Sequence, residues 1–144
     1  MIGTSSYLRV VRASAWYDLV VTAGFATPWT FSAIHSGLNI LSELLGIAAL
    51  PAFAPAHMLM ANLLGSIVTV WAILRLRNTR TEYGRYDAAG RGLFATWQLF
   101  ALAHGANPII WGFFLAEVAF GIAQALPVTD TYREEKMLKL ACSG

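Results

Sequence analysis

The chain has 144 residues, of which 57% are hydrophobic and only 12% charged, with a formal net charge of +2 and a mean hydropathy of +0.56. Soluble globular domains carry about a quarter charged residues, so this composition points to a lipid environment. The small basic excess sits in identifiable loops and gives no reason to expect nucleic acid, and the single Cys142 leaves no disulfide framework or CxxC redox motif. The length fits one domain, residues 1–144, without internal repeats.

The first 13 residues are polar and then basic, with Arg9 and Arg12. An apolar run over 15–34 follows. Its end resembles a small-residue cleavage site, but Asp18 would then fall inside the apolar region of a signal peptide, so the run is read as a retained first span. The next segment, HSGLNILSELLGIAALPAFAP, is apolar only over 38–50, whereas a span needs about 20 residues. Leu38, Leu41 and Leu45 alternate with Asn39, Ser42 and Glu43 at helical spacing. The spacing predicts a short amphipathic helix at the outer interface, ended by Pro51 and Pro55.

A second span is expected over 56–74, a third over 88–106 and a fourth over 108–128, with a tight turn at Gly105-Ala106-Asn107-Pro108. Between the second and third lies RLRNTRTEYGRYDAAGR, which holds Arg75, Arg77, Arg80, Arg85 and Arg91. A basic island between two apolar runs is the mark of a cytoplasmic loop. Arg91, one turn into the expected third span, is placed to extend its head towards the lipid headgroups. In the tail, Thr131 and Glu134 have capping-box spacing and Glu135 and Lys139 an i,i+4 spacing, which predicts a cytoplasmic C-terminal helix. With four spans every Lys and Arg lies on one side; a fifth span at 38–50 would split the basic segments between the two sides. The expectation is an all-α, four-helix transmembrane bundle of an inner membrane, with both termini cytoplasmic. Trp16, Tyr17, Trp71, Tyr83 and Tyr86 would form the inner aromatic belt and Trp111 part of the outer one. Ala88/Gly92 and Gly112/Ala116 would offer small surfaces for helix contact.

Three groups of residues are candidates for chemistry. His35, His57 and His104 all fall at the outer ends of spans, near Met58, Met60, Asn107 and Glu43. Imidazole is the commonest metal ligand and thioethers favour reduced copper, so zinc, copper or a haem held by two of these histidines is one reading. Interfacial caps are the other, because no pair has a ligand spacing such as HxxxH. In the apolar interior, Glu117 lies roughly 13 Å into the fourth span at about 1.5 Å per residue, with Gln98 at similar depth on the third and Asn62 on the second. A buried carboxylate must be protonated or paired. Glu117 therefore either belongs to a pocket for a hydrophobic ligand or a proton-coupled site, or is held neutral by Gln98 as a link between helices. Asp18 is level with Asp87 and Arg91: an Asp18–Arg91 salt bridge is the economical reading, and a cavity shared with Glu117 the functional one. No nucleophile elbow, phosphate loop, HExxH or catalytic triad is present.

Four short spans, Asp18 early in the first, a polar outer connection, Glu117 later and the stretch ANLLGSIVTVWAILRLRN together resemble the DoxX-like small membrane proteins. That wider group includes quinol-linked redox subunits and, more distantly, sterol-binding or isomerising proteins. The resemblance implies Asp18 and Glu117 as ligand contacts; the three histidines have no counterpart in its pattern. The sequence thus leads to a non-enzymatic multi-pass protein that binds a lipid-, quinone- or sterol-like molecule or a partner subunit, in a lipid bilayer and with room for a homo-oligomer. The alternatives are a metal- or haem-binding subunit and a structural accessory subunit of a membrane complex.

Overall fold

Proline opens two of the described helices of this chain, and a threonine caps one of them. A proline lacks the N–H that a helix interior needs and disfavours helical backbone in the residue before it, yet it suits the first helical turn. The computed structural model, which describes residues 2–129, follows that logic. Helix α1 (Thr4–Thr22) ends in a single 3-10 turn, Ala23–Phe25. Thr27 then turns extended, accepts a hydrogen bond from the Thr30 N–H at 3.2 Å, and Pro28 opens α2 (Pro28–Leu44). Pro55 likewise opens α3 (Pro55–Arg77). Helices α4 (Thr81–Ala103) and α5 (Ile110–Ala125) follow. Among the described residues the fold is all-α apart from two-residue strands β1 (Ile2–Gly3) and β2 (Val128–Thr129), which pair in parallel.

The expected boundaries shift in three places. The run 15–34 is not one helix: the Thr27-Pro28 start signal divides it between α1 and α2. The amphipathic helix expected from Leu38 is the second half of α2, which ends at Leu44, and 47–54 has no regular structure. The basic island is mostly helical. Helix α3 runs to Arg77 and α4 starts at Thr81, so only 78–80 links them. The expected turn at 105–108 is present, tied by Asn107 Nδ2 to the Ala48 carbonyl at 2.6 Å. The expected C-terminal helix lies outside the described residues.

Helix α1 is the hub, packing against α3, α4 and α5, while α4 and α5 form the most extensive pair. Two glycines allow the close approaches. A Cβ at Gly84 would stand 2.6 Å from both Tyr7 Oη and Val11 Cγ2, and one at Gly65 would meet the Phe25 backbone at 2.6 Å. Gly92 and Gly112, the expected contact glycines, instead face open space. The pairing of β1 with β2, and Tyr7 Oη donating to the Gln124 carbonyl at 2.7 Å, bring the start of α1 beside the end of α5.

The distribution of polarity runs against the usual one, in which apolar side chains are inside and charged ones outside. Among the described residues the buried polar ones are Ser14, Asp18, Ser42, Arg75, Asp87, Arg91 and Gln124, against only Tyr7, Val11, Ala15, Phe31 and Ala72 of the apolar ones. Meanwhile Leu59, Leu63, Ile67 and Val70 of α3 and Leu93, Trp97 and Phe100 of α4 are exposed. Among the described residues one helix, α3, is both long and apolar enough to cross a membrane.

Candidate functional site

The site is assembled around two arginines that the sequence reading left in the loop or at the headgroups. Arg75 lies in the last turn of α3, yet its side chain is wholly buried. Its guanidinium bonds Asp18 of α1 and Asp87 of α4, and Nη1 also donates to Ser14 Oγ at 3.1 Å. Arg91 is not at a helix end: α4 begins ten residues earlier, and the side chain turns inward with 3% exposure. Its Nε donates to Asp87 at 3.0 Å, Nη1 to Glu117 of α5 at 2.9 Å, and Nη2 to both oxygens of Asp18 at 2.8 and 2.7 Å. The expected Asp18–Arg91 bridge is therefore present, and snorkelling to the headgroups is overturned. Three carboxylates and two guanidiniums thereby join α1, α3, α4 and α5. Burying such charges is tolerable because each is paired and hydrogen-bonded.

The surroundings lock this arrangement. Trp71 Nε1 donates to Asp87 at 3.1 Å, and Gln124 Nε2 donates to Ser14 Oγ at 2.7 Å. The Arg91 guanidinium lies 5.0 Å from the Phe120 ring centre, within cation–π range, and Phe120 packs on Tyr17. Gln124 thus belongs to the same face of α5 as Glu117, as its helical spacing implies. Glu117 is not linked to Gln98; Arg91 takes that place because charge-assisted pairing is stronger than a neutral amide bond.

Above the cluster, α1, α3, α4 and α5 line a half-open cavity of about 470 Å³. Its floor includes Asp18 and Glu117, so the salt bridge and the shared cavity, posed as alternatives, are both present. Its walls are apolar, with Phe94, Trp97 and Phe113 facing Leu64 and Val68, and Phe25, Phe31 and Phe53 at the far end. Gln98 also lines it, and its Oε1 is buried without a hydrogen-bond partner. A volume in this range, apolar walls and a few converging polar groups are the usual features of a small-molecule site. Asn62 does not join the wall: its Nδ2 donates to the Phe25 carbonyl at 2.7 Å and holds the 3-10 turn.

The three histidines are not gathered. His35 Nε2 lies 3.0 Å from the Pro51 carbonyl, and His104 Nδ1 lies 2.8 Å from Phe100 O, in its own helix. His57 is exposed. Phe53 stands between His35 and His57, its ring centre 5.5 Å from one and 6.5 Å from the other. Among the described residues no group of three or more His, Cys, Asp or Glu is placed to hold a metal ion.

Sequence reasoning missed Arg75 and Asp87. For Asp87 the signal was there in helical spacing, since Asp87 and Arg91 are an i,i+4 acid–base pair; Arg75 carried no local signal. Comparison with known proteins adds no assignment: no family model, no curated protein and no solved structure matches the chain.

Proposed function

We propose that this chain is a multi-pass protein of a bacterial-type inner membrane that binds a hydrophobic small molecule within its helical bundle. The observation that carries this reading is the apolar cavity of about 470 Å³ with Asp18 and Glu117 at its floor. In this reading α1, α3, α4 and α5 are the spans and α2 lies at the outer interface. The low hydropathy of α1 and α4 comes partly from Arg9, Arg12, Glu82 and Arg85 near their starts and partly from Asp18, Asp87 and Arg91 further in. In the fold the last three neutralise one another, which is how ionisable residues are accommodated within a bilayer. The exposed leucines, isoleucine and valine of α3 and the exposed aromatic residues of α4 suit contact with acyl chains. The adjacent ends of α1 and α5 fit termini on one side, and the basic residues favour a cytoplasmic position for that side. The DoxX-like resemblance singles out the same two carboxylates and is part of this reading.

The test is a thermal-unfolding series on protein in mild detergent, with a short-chain quinone, a sterol and a phospholipid added in turn. Ala101→Phe, which fills the cavity from α4, is the comparison. At least one compound should raise the melting temperature of the parent by several degrees, through preferential binding to the folded state, and leave the filled variant unmoved. Equal responses of parent and variant to every compound would sink the proposal.

A further inference from the structure

The donors and acceptors around the cavity floor are unevenly used. Arg91 spends its Nε, Nη1 and Nη2 on Asp87, Glu117 and Asp18, and Arg75 spends both terminal nitrogens on Asp18, Asp87 and Ser14. The one guanidinium nitrogen left without a partner is Arg75 Nε, but Arg75 is wholly buried and does not line the cavity. The cavity is therefore offered no free arginine donor. Of the two carboxylates that line it, Asp18 already accepts from arginine at both oxygens, whereas Glu117 does so only through Oε2 and keeps Oε1 free; Gln98 Oε1, buried and unpartnered, lies in the same wall. With every group ionised, three carboxylates face two guanidiniums, so the cluster carries one negative charge in excess. Glu117 is the member with a single arginine partner and the most exposed of the three carboxylates, at 12% against 9% and 7%.

Resting on the ligand-cavity reading above, we propose that the occupant is an amphiphile with a protonated amine at its head. The ammonium would sit between Glu117 and Gln98 Oε1, and the apolar body would lie among Phe94, Trp97 and Phe113. An ammonium can donate to the free Glu117 Oε1 and to Gln98 Oε1, and its charge balances the excess carboxylate. A carboxylate or phosphate head would meet like charge, with only the neutral donors of Tyr17, Trp97 and Gln98 to answer it. A neutral hydroxyl satisfies one acceptor and leaves the charge unbalanced.

The experiment uses three probes with the same chain: dodecylamine, dodecanol and dodecanoate. Each is titrated against the full chain in mild detergent, with binding followed by melting temperature and by the tryptophan emission that Trp97→Phe removes. Dodecylamine should bind about tenfold or more tightly than dodecanol, the usual margin for a charge-assisted contact, and dodecanoate weakest. In Glu117→Gln the charges balance, and the preference for amine over alcohol should fall to about twofold or less. Gln98→Leu leaves every ion pair in place and guards against misfolding of the first variant. It should weaken amine binding several-fold with an unchanged elution profile. Equal binding of amine and alcohol to the parent, or tighter binding of dodecanoate, overturns the head-group assignment while leaving the cavity reading intact. An amine preference that survives Glu117→Gln also overturns it, as partition into the micelle. If none of the three probes binds, but a quinone or sterol stabilises the parent and not Ala101→Phe, the cavity reading stands and the amine fails. If no compound of either series binds, both fail together.

Discussion

The two halves of the α3–α4 pair are built on opposite principles. Towards the 78–80 link, Arg75 and Trp71 of α3 both bond Asp87 of α4, through an ion pair and an indole hydrogen bond. Towards the other end the facing residues are Leu64, Val68, Phe94 and Trp97, and a cavity lies between them. Polar contacts here define one geometry, because a buried charge has few places to go. Apolar contacts tolerate separation, because another apolar body, lipid or ligand, can fill the space. The bundle is closed where it is charged and open where it is greasy.

The comparison breaks most severely if an arginine is removed from the closed half. Arg75→Leu leaves three carboxylates with one guanidinium and should lose about 3–5 kcal/mol, as expected when one partner of a buried pair is deleted. Reversible unfolding in mixed micelles measures it; a loss under about 1 kcal/mol would mean that the cluster is hydrated and does not hold the helices. The next effect in size concerns backbone approach in the same half. Gly84→Val would drive a side chain into Tyr7 and Val11 and should cost about 1–3 kcal/mol as an overpacked contact. Gly112→Ala, which meets open space, should stay within about 0.5 kcal/mol. The same assay ranks the pair, and equal costs would place the tight contact elsewhere. The smallest effect belongs to the open half. His57→Ala should change stability by no more than about 0.5 kcal/mol and leave both the absorption spectrum and the metal content of the purified protein unaltered. A Soret band or one metal per chain that disappears in the variant would restore the histidines as the functional site.

How much of this was legible depended on whether a residue announced its surroundings locally. The helices between prolines, the turn at 105–108 and the Asp18–Arg91 pair could be read directly. The division of 15–34 could have been read from Thr27-Pro28, since capping and proline geometry are local properties. Arg75 was different. A cluster of arginines between apolar runs is ordinarily solvated, and nothing in RLRNTR separates the arginine that turns inward from those at Arg77 and Arg80. Glu117 was recognised as a carboxylate needing a partner, but the nearest visible candidate at its depth was Gln98, because Arg91 had been assigned to the headgroups.

By itself the amino-acid sequence determined that the chain is helical and that a carboxylate in its apolar stretch must find a partner. Those are consequences of backbone chemistry, hydropathy and the cost of an isolated buried charge. Only the tertiary structure decided which partner it finds, that Asp18, Arg75, Asp87, Arg91 and Glu117 form one network, and that a cavity lies above it. The reason is physical: pairing among residues from four helices depends on the rotation and level of each helix, and those are set only when all four pack together.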